Sequence, residues 1–348
     1  MNIMSTTQLL KADESQVGTD HSTPTMKPRA VAVWAVLAAA IAAGGVACTS
    51  TPAPVTPTQI SSFDAKQGSL PEGLAVRDGK AYVGLAPTGA VLQVDLKTGS
   101  STPFSSLPTP VPNKGFMTGL AFGKDGKLFA ALVSFVPEVQ AGIYLVGSAG
   151  QPATLFAKHP QMAFPNGIVA DSTGSLFVTD SAAGAVFRIS QSGEVEQWAS
   201  GELLRGNKDY CGPGKGVGVP FDIGANGIAL KDAAIYVTNT DKASIARIPI
   251  QEGGKAGEIQ TFVASDCAKL GGADGLTIDP DGNFIVADNH LNKIVRVDAG
   301  GAISTVVENG SLDFPASLAF EGRTLYATNF AFLSASTDKA RPGLIRIK

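Results

Sequence analysis

Six widely separated positions carry the residues of this sequence best suited to chemistry. A short phrase, one residue followed by Gly and two mostly apolar residues, recurs along the chain. The residue before the glycine is in turn Glu72, Thr118, Asn166, Asn226, Asp274 and Ala316, with Ser317 replacing the glycine in the last copy. Glu72, Asn166, Asn226 and Asp274 are hard oxygen donors, and none of the six is His or Cys. Such a set suits Ca²⁺, or Mg²⁺, better than zinc, which prefers nitrogen and sulfur. Asn-Gly and Asp-Gly are also common turn pairs. Pairs of that kind, however, already stand where hairpins require them, at Asp78-Gly79, Asp125-Gly126 and Asp281-Gly282, whereas the phrases precede a strand.

For these positions to act together, the fold must bring them to one place. The phrase returns about every 40 to 60 residues, the spacing of a repeat architecture in which equivalent positions face a common axis. Each copy is followed by a short apolar strand, a turn with Asp and Gly, and a strand rich in β-branched and aromatic residues, as in residues 273–289, then 294–297 and 303–307. Four strands joined by tight turns form one propeller blade. The fold class is therefore all-β, a six-bladed β-propeller. Blade six offers three strands after its phrase, and residues 59–63 match the pattern of residues 303–306, so an N-terminal strand is expected to close the ring and cover its edges. The longest interval, between Gly167 and Gly227, holds an insertion around residues 202–222. If strand one of each blade starts at the mouth, the phrase residues, the ends of the second strands (Asp180, Asn239, Asp288, Asn329) and the connectors between blades share one face.

The first part of the chain serves another purpose. From Met26, a possible true start, Lys27 and Arg29 lead into an apolar stretch over residues 30–43 and then Gly-Gly-Val-Ala-Cys48, the layout of a signal peptide. The apolar stretch is shorter than the roughly 20 residues of a bilayer span. The ending resembles a bacterial lipobox, which implies lipidation of Cys48; an ordinary signal peptide with a coincidental cysteine is the alternative. The expected organisation is an N-terminal extension and lipoprotein signal over 1–47, a Pro/Thr-rich tether over 48–57 and the propeller over 58–348. Export, with a lipid anchor as the only membrane contact, is the expected location, facing periplasm or exterior.

Composition narrows the function. The net charge of −3 survives removal of residues 1–47, where Lys11, Lys27 and Arg29 balance Asp13, Glu14 and Asp20. No basic field for nucleic acid exists. Beyond Cys48, Cys211 and Cys267 form an even remainder, a possible disulfide in an exported chain, with two free buried thiols as the alternative. His159 and His290 lie in connectors, and no Gly-x-Ser-x-Gly elbow is present, which leaves a Ser-His-Asp system little support.

Glu in blade one, Asn in blades three and four and Asp in blade five resemble the site of the gluconolactonase, senescence-marker protein and luciferin-regenerating-enzyme-like superfamily, with paraoxonases and strictosidine-synthase-like proteins as distant relatives. The resemblance covers roughly residues 58–348. It implies a divalent metal, usually calcium, held by Glu72, Asn226 and Asp274, with Asn166 as fourth ligand or substrate contact. Paraoxonases carry histidine at the blade-two phrase, where this chain has Thr118. The implied function is metal-dependent hydrolysis of a lactone or related ester, with Asp274 or Glu72 activating water and Asn166, Thr118, His159 and His290 as candidate substrate contacts. The partner is a small-molecule substrate and the expected state a monomer. The rival reading is a non-enzymatic envelope propeller that binds a small ligand or protein and uses its metal structurally.

Overall fold

The computed structural model describes residues 55–211 and 221–348. The predicted signal segment, Cys48 and most of the tether lie outside them. Twenty-four strands form six four-stranded antiparallel sheets. Blades one to five are meanders over 71–106, 115–157, 165–200, 225–263 and 273–308. Blade six takes three strands from 315–347, and its fourth is Pro57–Ser62, which pairs antiparallel with Gly343–Ile347, from Pro57 opposite Ile347 to Ser62 opposite Gly343. The expected closure by an N-terminal strand is present. Among the described residues helix is confined to single short turns such as Cys267–Leu270, and no helix there is long and apolar enough to cross a membrane.

Turn chemistry fixes the hairpins. Asp78 and Gly79 both have positive φ, 53° and 72°, between the paired residues Arg77 and Lys80. That is the two-residue turn whose twist matches a hairpin.

The core lies between the blades. Six buried apolar clusters occupy the six blade interfaces, the last joining Leu74, Val83 and Val94 of blade one to Tyr326 and Leu344 of blade six. Each blade is therefore held by both neighbours, at about 1.5–3 kcal/mol per buried large apolar side chain.

The glycines of the phrases serve the ring, not turns. They sit inside the innermost strands, where every pairing slips by a bulge, as between Pro165 and Ile168. A Cβ on Gly73 would lie 2.3 Å from the Thr118 carbonyl oxygen, and one on Gly227 would lie 2.2 Å from that of Asp274. Only glycine lets neighbouring inner strands approach so closely at the axis. Threonines reinforce the contact: the Thr238 hydroxyl donates to the Asp274 carbonyl at 2.8 Å and Thr328 to the Glu72 carbonyl at 2.8 Å, while Thr179 donates to the Asn226 carbonyl.

Candidate functional site: a buried acid and amide ring

Close packing of the inner strands sets the residue before each glycine around one axis. Glu72, Asn166 and Asn226 are each 6% exposed and Asp274 7%. Below them Leu74, Leu120, Ile168, Ile228, Leu276 and Leu318, two positions after each ring residue, line a small cavity of about 80 Å³ with the glycines and Ser317. Polar groups above an apolar collar are in a poorly solvated place, and their ionisation responds. Glu72 is pushed well above the usual carboxylate range, first by burial and then by the negative charge of Asp274. Asp274 is raised to about 7 by burial; hydrogen bonds from Asn289 and Asn226 partly offset this, and the charge of Asp288 adds to it. The charge of Asp274 thus opposes the ionisation of Glu72.

Support for the ring comes from the residue just past the second strand. Asn166 donates its amide to Ser181 Oγ at 3.1 Å, and Asn226 donates to Thr240 Oγ1 at 2.9 Å. These hydroxyls spend their single protons on the carbonyls of Ala225 and Ala273, both at 2.8 Å. They can therefore only accept from the amides, which fixes which end of each amide is the nitrogen; that of Asn226 also serves Asp274. In blade five Asn289 donates to Asp274 Oδ2 at 2.9 Å. Glu72 has no such helper, since Ala86 stands at its equivalent position, and Glu72 Oε2 is buried with no hydrogen-bond partner.

These features fit a divalent cation. Two buried acids, one orphaned carboxylate oxygen and two buried amides form a hard-oxygen set whose burial cost a cation would offset. Among the described residues no three His, Cys, Asp or Glu side chains cluster; the ring instead combines two carboxylates with two amides.

Other predicted residues have different surroundings. The Thr118 hydroxyl donates to the Pro165 carbonyl at 2.8 Å, so its proton ties blade two to blade three. His159 is half-buried; its Nδ1 accepts from the Gln161 N–H at 3.2 Å and its ring lies 5.4 Å from Phe187. His290 is exposed, with its backbone close against Gly272. Neither histidine bonds to the ring. Cys211 and Cys267 are joined in a disulfide, Cα to Cα 5.4 Å, which ties the insertion before blade four to the connector before blade five.

The ends of the second strands work mainly as loop staples. Both oxygens of Asp180 accept backbone N–H groups, from Phe164 and Ala183, each at 2.8 Å. Asn239 and Asn329 bond to connector backbones in the same way. Asp288 accepts from the Leu291 N–H at 3.0 Å but leaves Oδ2 unpartnered, and burial raises it to about 6. Ser181, Thr240 and Asn289, which orient the ring, were not singled out from the sequence. Their signal is legible there: in blades three, four and five an Asp or Asn ending the second strand is followed by a side chain that can hydrogen-bond.

Residues 221–331 match the family described as the SMP-30/Gluconolactonase/LRE-like region. The match spans blade four to the second strand of blade six and includes Asn226, Asp274 and Asn289. The described residues form a six-bladed propeller, and over the matched residues the chain is similar to this family. No curated protein matches its sequence. Among solved structures it is similar to the calcium-binding protein regucalcin from Agrobacterium tumefaciens, at 17% identity and TM-score 0.56, covering 84% of this chain and 93% of that one. It is similar also to the PQQ-bound aldose sugar dehydrogenase of Streptomyces coelicolor, at 15% identity and TM-score 0.59, covering 85% and 99%. A luciferin-regenerating enzyme aligns at 15% identity and TM-score 0.56, covering 84% and 95%. At these identities the likeness establishes the fold. Since proteins sharing it have such different names, the chemistry must be argued from the ring.

Proposed function

We propose that the protein is a metal-dependent hydrolase of a lactone or related ester. The observation that carries this is the buried Glu72–Asp274 pair, with one Glu72 oxygen unpartnered, in a ring whose amides are oriented by Ser181 and Thr240. Glu72, Asn226 and Asp274, with Asn166, would hold a calcium ion. Bound there, the ion supplies Lewis acidity toward the carbonyl and positive charge for the developing oxyanion. Asp274, or Glu72 beside it, holds the attacking water and takes its proton. Asn289 and Asn226 fix the orientation of the Asp274 carboxylate, and the apolar collar borders a small cavity beside the ring. Without a cation both acids are held toward their neutral forms, so loading the ring releases protons.

A panel of lactones and aryl esters assayed with and without chelator tests this reading. Turnover that chelator abolishes and calcium restores supports it. No turnover by the calcium-loaded protein favours the second reading, a ligand-binding propeller with a structural metal, to which the near-complete burial of the ring lends support.

We propose also that the propeller is tethered at the cell envelope through lipid on Cys48. Metabolic labelling with a fatty-acid analogue should mark the wild type and not Cys48→Ala.

A further inference from the structure

Phenylalanines gather at two places on the mouth, one in blade six and one around blades two and three. Where blades three, four and five place Ser181, Thr240 and Asn289 just past the second strand, blade six places Phe330 and blade one Ala86, while blade two has Val133 at the equivalent register inside its longer strand, with Phe135 just past the strand end. Two positions before the ring residue stand Phe314, Leu70, Phe116 and Phe164 in blades six, one, two and three, against Gly224 and Gly272 in blades four and five. The aromatic rings cluster in two groups. Phe164 lies 5.1 Å from Phe116, 6.4 Å from Phe135 and 5.3 Å from Phe221. Phe314 lies 6.1 Å from both Phe330 and Phe332, which are 5.2 Å apart.

The clusters reach the surface. Among the described residues six large apolar side chains are exposed, and four of them, Phe135 (49%), Tyr210 (56%), Phe332 (40%) and Leu333 (49%), belong to mouth loops. Apolar exposure concentrated on one face marks a binding surface. The polar groups nearby are already engaged: Asp180, Asn239 and Asn329 bond to loop backbone, and the Thr118 hydroxyl proton is committed. Phe offers neither hydroxyl nor indole N–H. A polyhydroxylated ligand would meet aromatic faces with few free partners, whereas an apolar group would bury itself without loss.

We propose that these aromatic clusters are the side-chain subsite of the ring, so that the substrate is a lactone or ester bearing an alkyl chain or aryl group and not a polyhydroxylated sugar lactone. The proposal rests on the hydrolase reading of the ring and adds the substrate class. Phe135 and Phe332, more exposed than the other phenylalanines of the clusters, are the specificity-determining residues.

The test compares γ-butyrolactone, γ-nonalactone and glucono-δ-lactone as substrates of the calcium-loaded protein, and measures binding of the matching unsubstituted and pentyl-substituted γ-lactams, which are not turned over. Each buried methylene should favour binding by about fourfold, so the pentyl lactam should bind at least about tenfold more tightly than the unsubstituted one. Phe135→Ala and Phe332→Ala, both at exposed positions that should fold, should lower that ratio several-fold. Likewise kcat/KM for γ-nonalactone over γ-butyrolactone should fall. Equal binding of the two lactams, or preference for glucono-δ-lactone, overturns the proposal even if hydrolysis is seen. Tighter binding of the pentyl lactam with no lactone hydrolysed removes the hydrolase reading and leaves the apolar subsite standing. If sedimentation shows a wild-type dimer that Phe135→Ala dissociates while the lactam ratio holds, the face is an interface between copies and the proposal fails.

Discussion

The two halves of the propeller mouth share one repeat but differ in chemistry. In blades three to five each ring residue, Asn166, Asn226 or Asp274, is gripped by a polar neighbour one step past the second strand. In blades six, one and two the ring offers Ala316, Glu72 and Thr118, and the gripping position is apolar. Glu72 is thus the one carboxylate on the ungripped side, and one of its oxygens finds no partner. A repeat that supplies identical backbone six times leaves function to the positions where it departs from symmetry. The gripped half fixes the donors, and the other half supplies a free acid and an apolar wall.

The largest effect expected from breaking this asymmetry is at Asp274. Asp274→Asn keeps an oxygen but loses the charge, so turnover should fall by about 10² to 10⁴-fold with only a modest loss of calcium affinity. Unchanged turnover on a substrate that the wild type cleaves would remove Asp274 from catalysis. Next is the grip itself: Asn289→Ala should weaken calcium binding by about 10 to 100-fold in a calorimetric titration. Ala86→Ser, which adds a hydroxyl beside Glu72, should have less influence. If the two variants behave alike, the halves are not functionally distinct.

Smaller effects concern stability. The disulfide belongs to the gripped half, and Cys211→Ser should cost about 2–4 kcal/mol in denaturant unfolding. Intact stability would mean that the insertion is held by other contacts.

The smallest effect is with pH. Glu72, Asp274 and Asp288 have folded-state pKa values above those of the unfolded chain. The native state therefore binds their protons more tightly, and their contribution is full below about pH 4 and is lost as pH rises. For Asp274 the loss centres on about pH 7, and for Asp288 on about pH 6. Asp95, Asp125 and Asp281, whose values are lowered, are surface groups whose pairs are screened. Calcium-free protein should thus lose a few degrees of melting temperature between pH 5 and 7.5. Calcium should flatten that slope. A chelated protein whose melting temperature rises over this interval would contradict the buried-acid description.

Much of this architecture was legible in the sequence because a repeat announces itself. The phrase spacing gave six blades, and residues 59–63 marked the closing strand, found as Pro57–Ser62. Glu72, Asn166, Asn226 and Asp274 were visible as oxygen donors at equivalent positions. Ser181, Thr240 and Asn289 were not, because a hydrogen-bonding role depends on which group faces which across two strands and the next blade. Asp180, Asn239 and Asn329 could be placed at the mouth by strand polarity, but composition alone does not tell a loop staple from a ligand. Similarly, pairing of Cys211 with Cys267 needed coordinates, since sequence spacing does not set the Cα separation.

The closing strand also governs when this protein can exist. Blade six is completed by segments from opposite ends of the propeller, so its sheet cannot form until Gly343–Ile347 is available to Pro57–Ser62. A chain emerging N-terminus first, from a ribosome or through a membrane pore, carries an unmatched outer strand for nearly its whole length. The contact that locks the ring is among the longest in sequence separation, and long-range pairing is slow to form. Blades one to five, each a contiguous meander, can pair as they emerge, but the circle closes only when the last strand arrives.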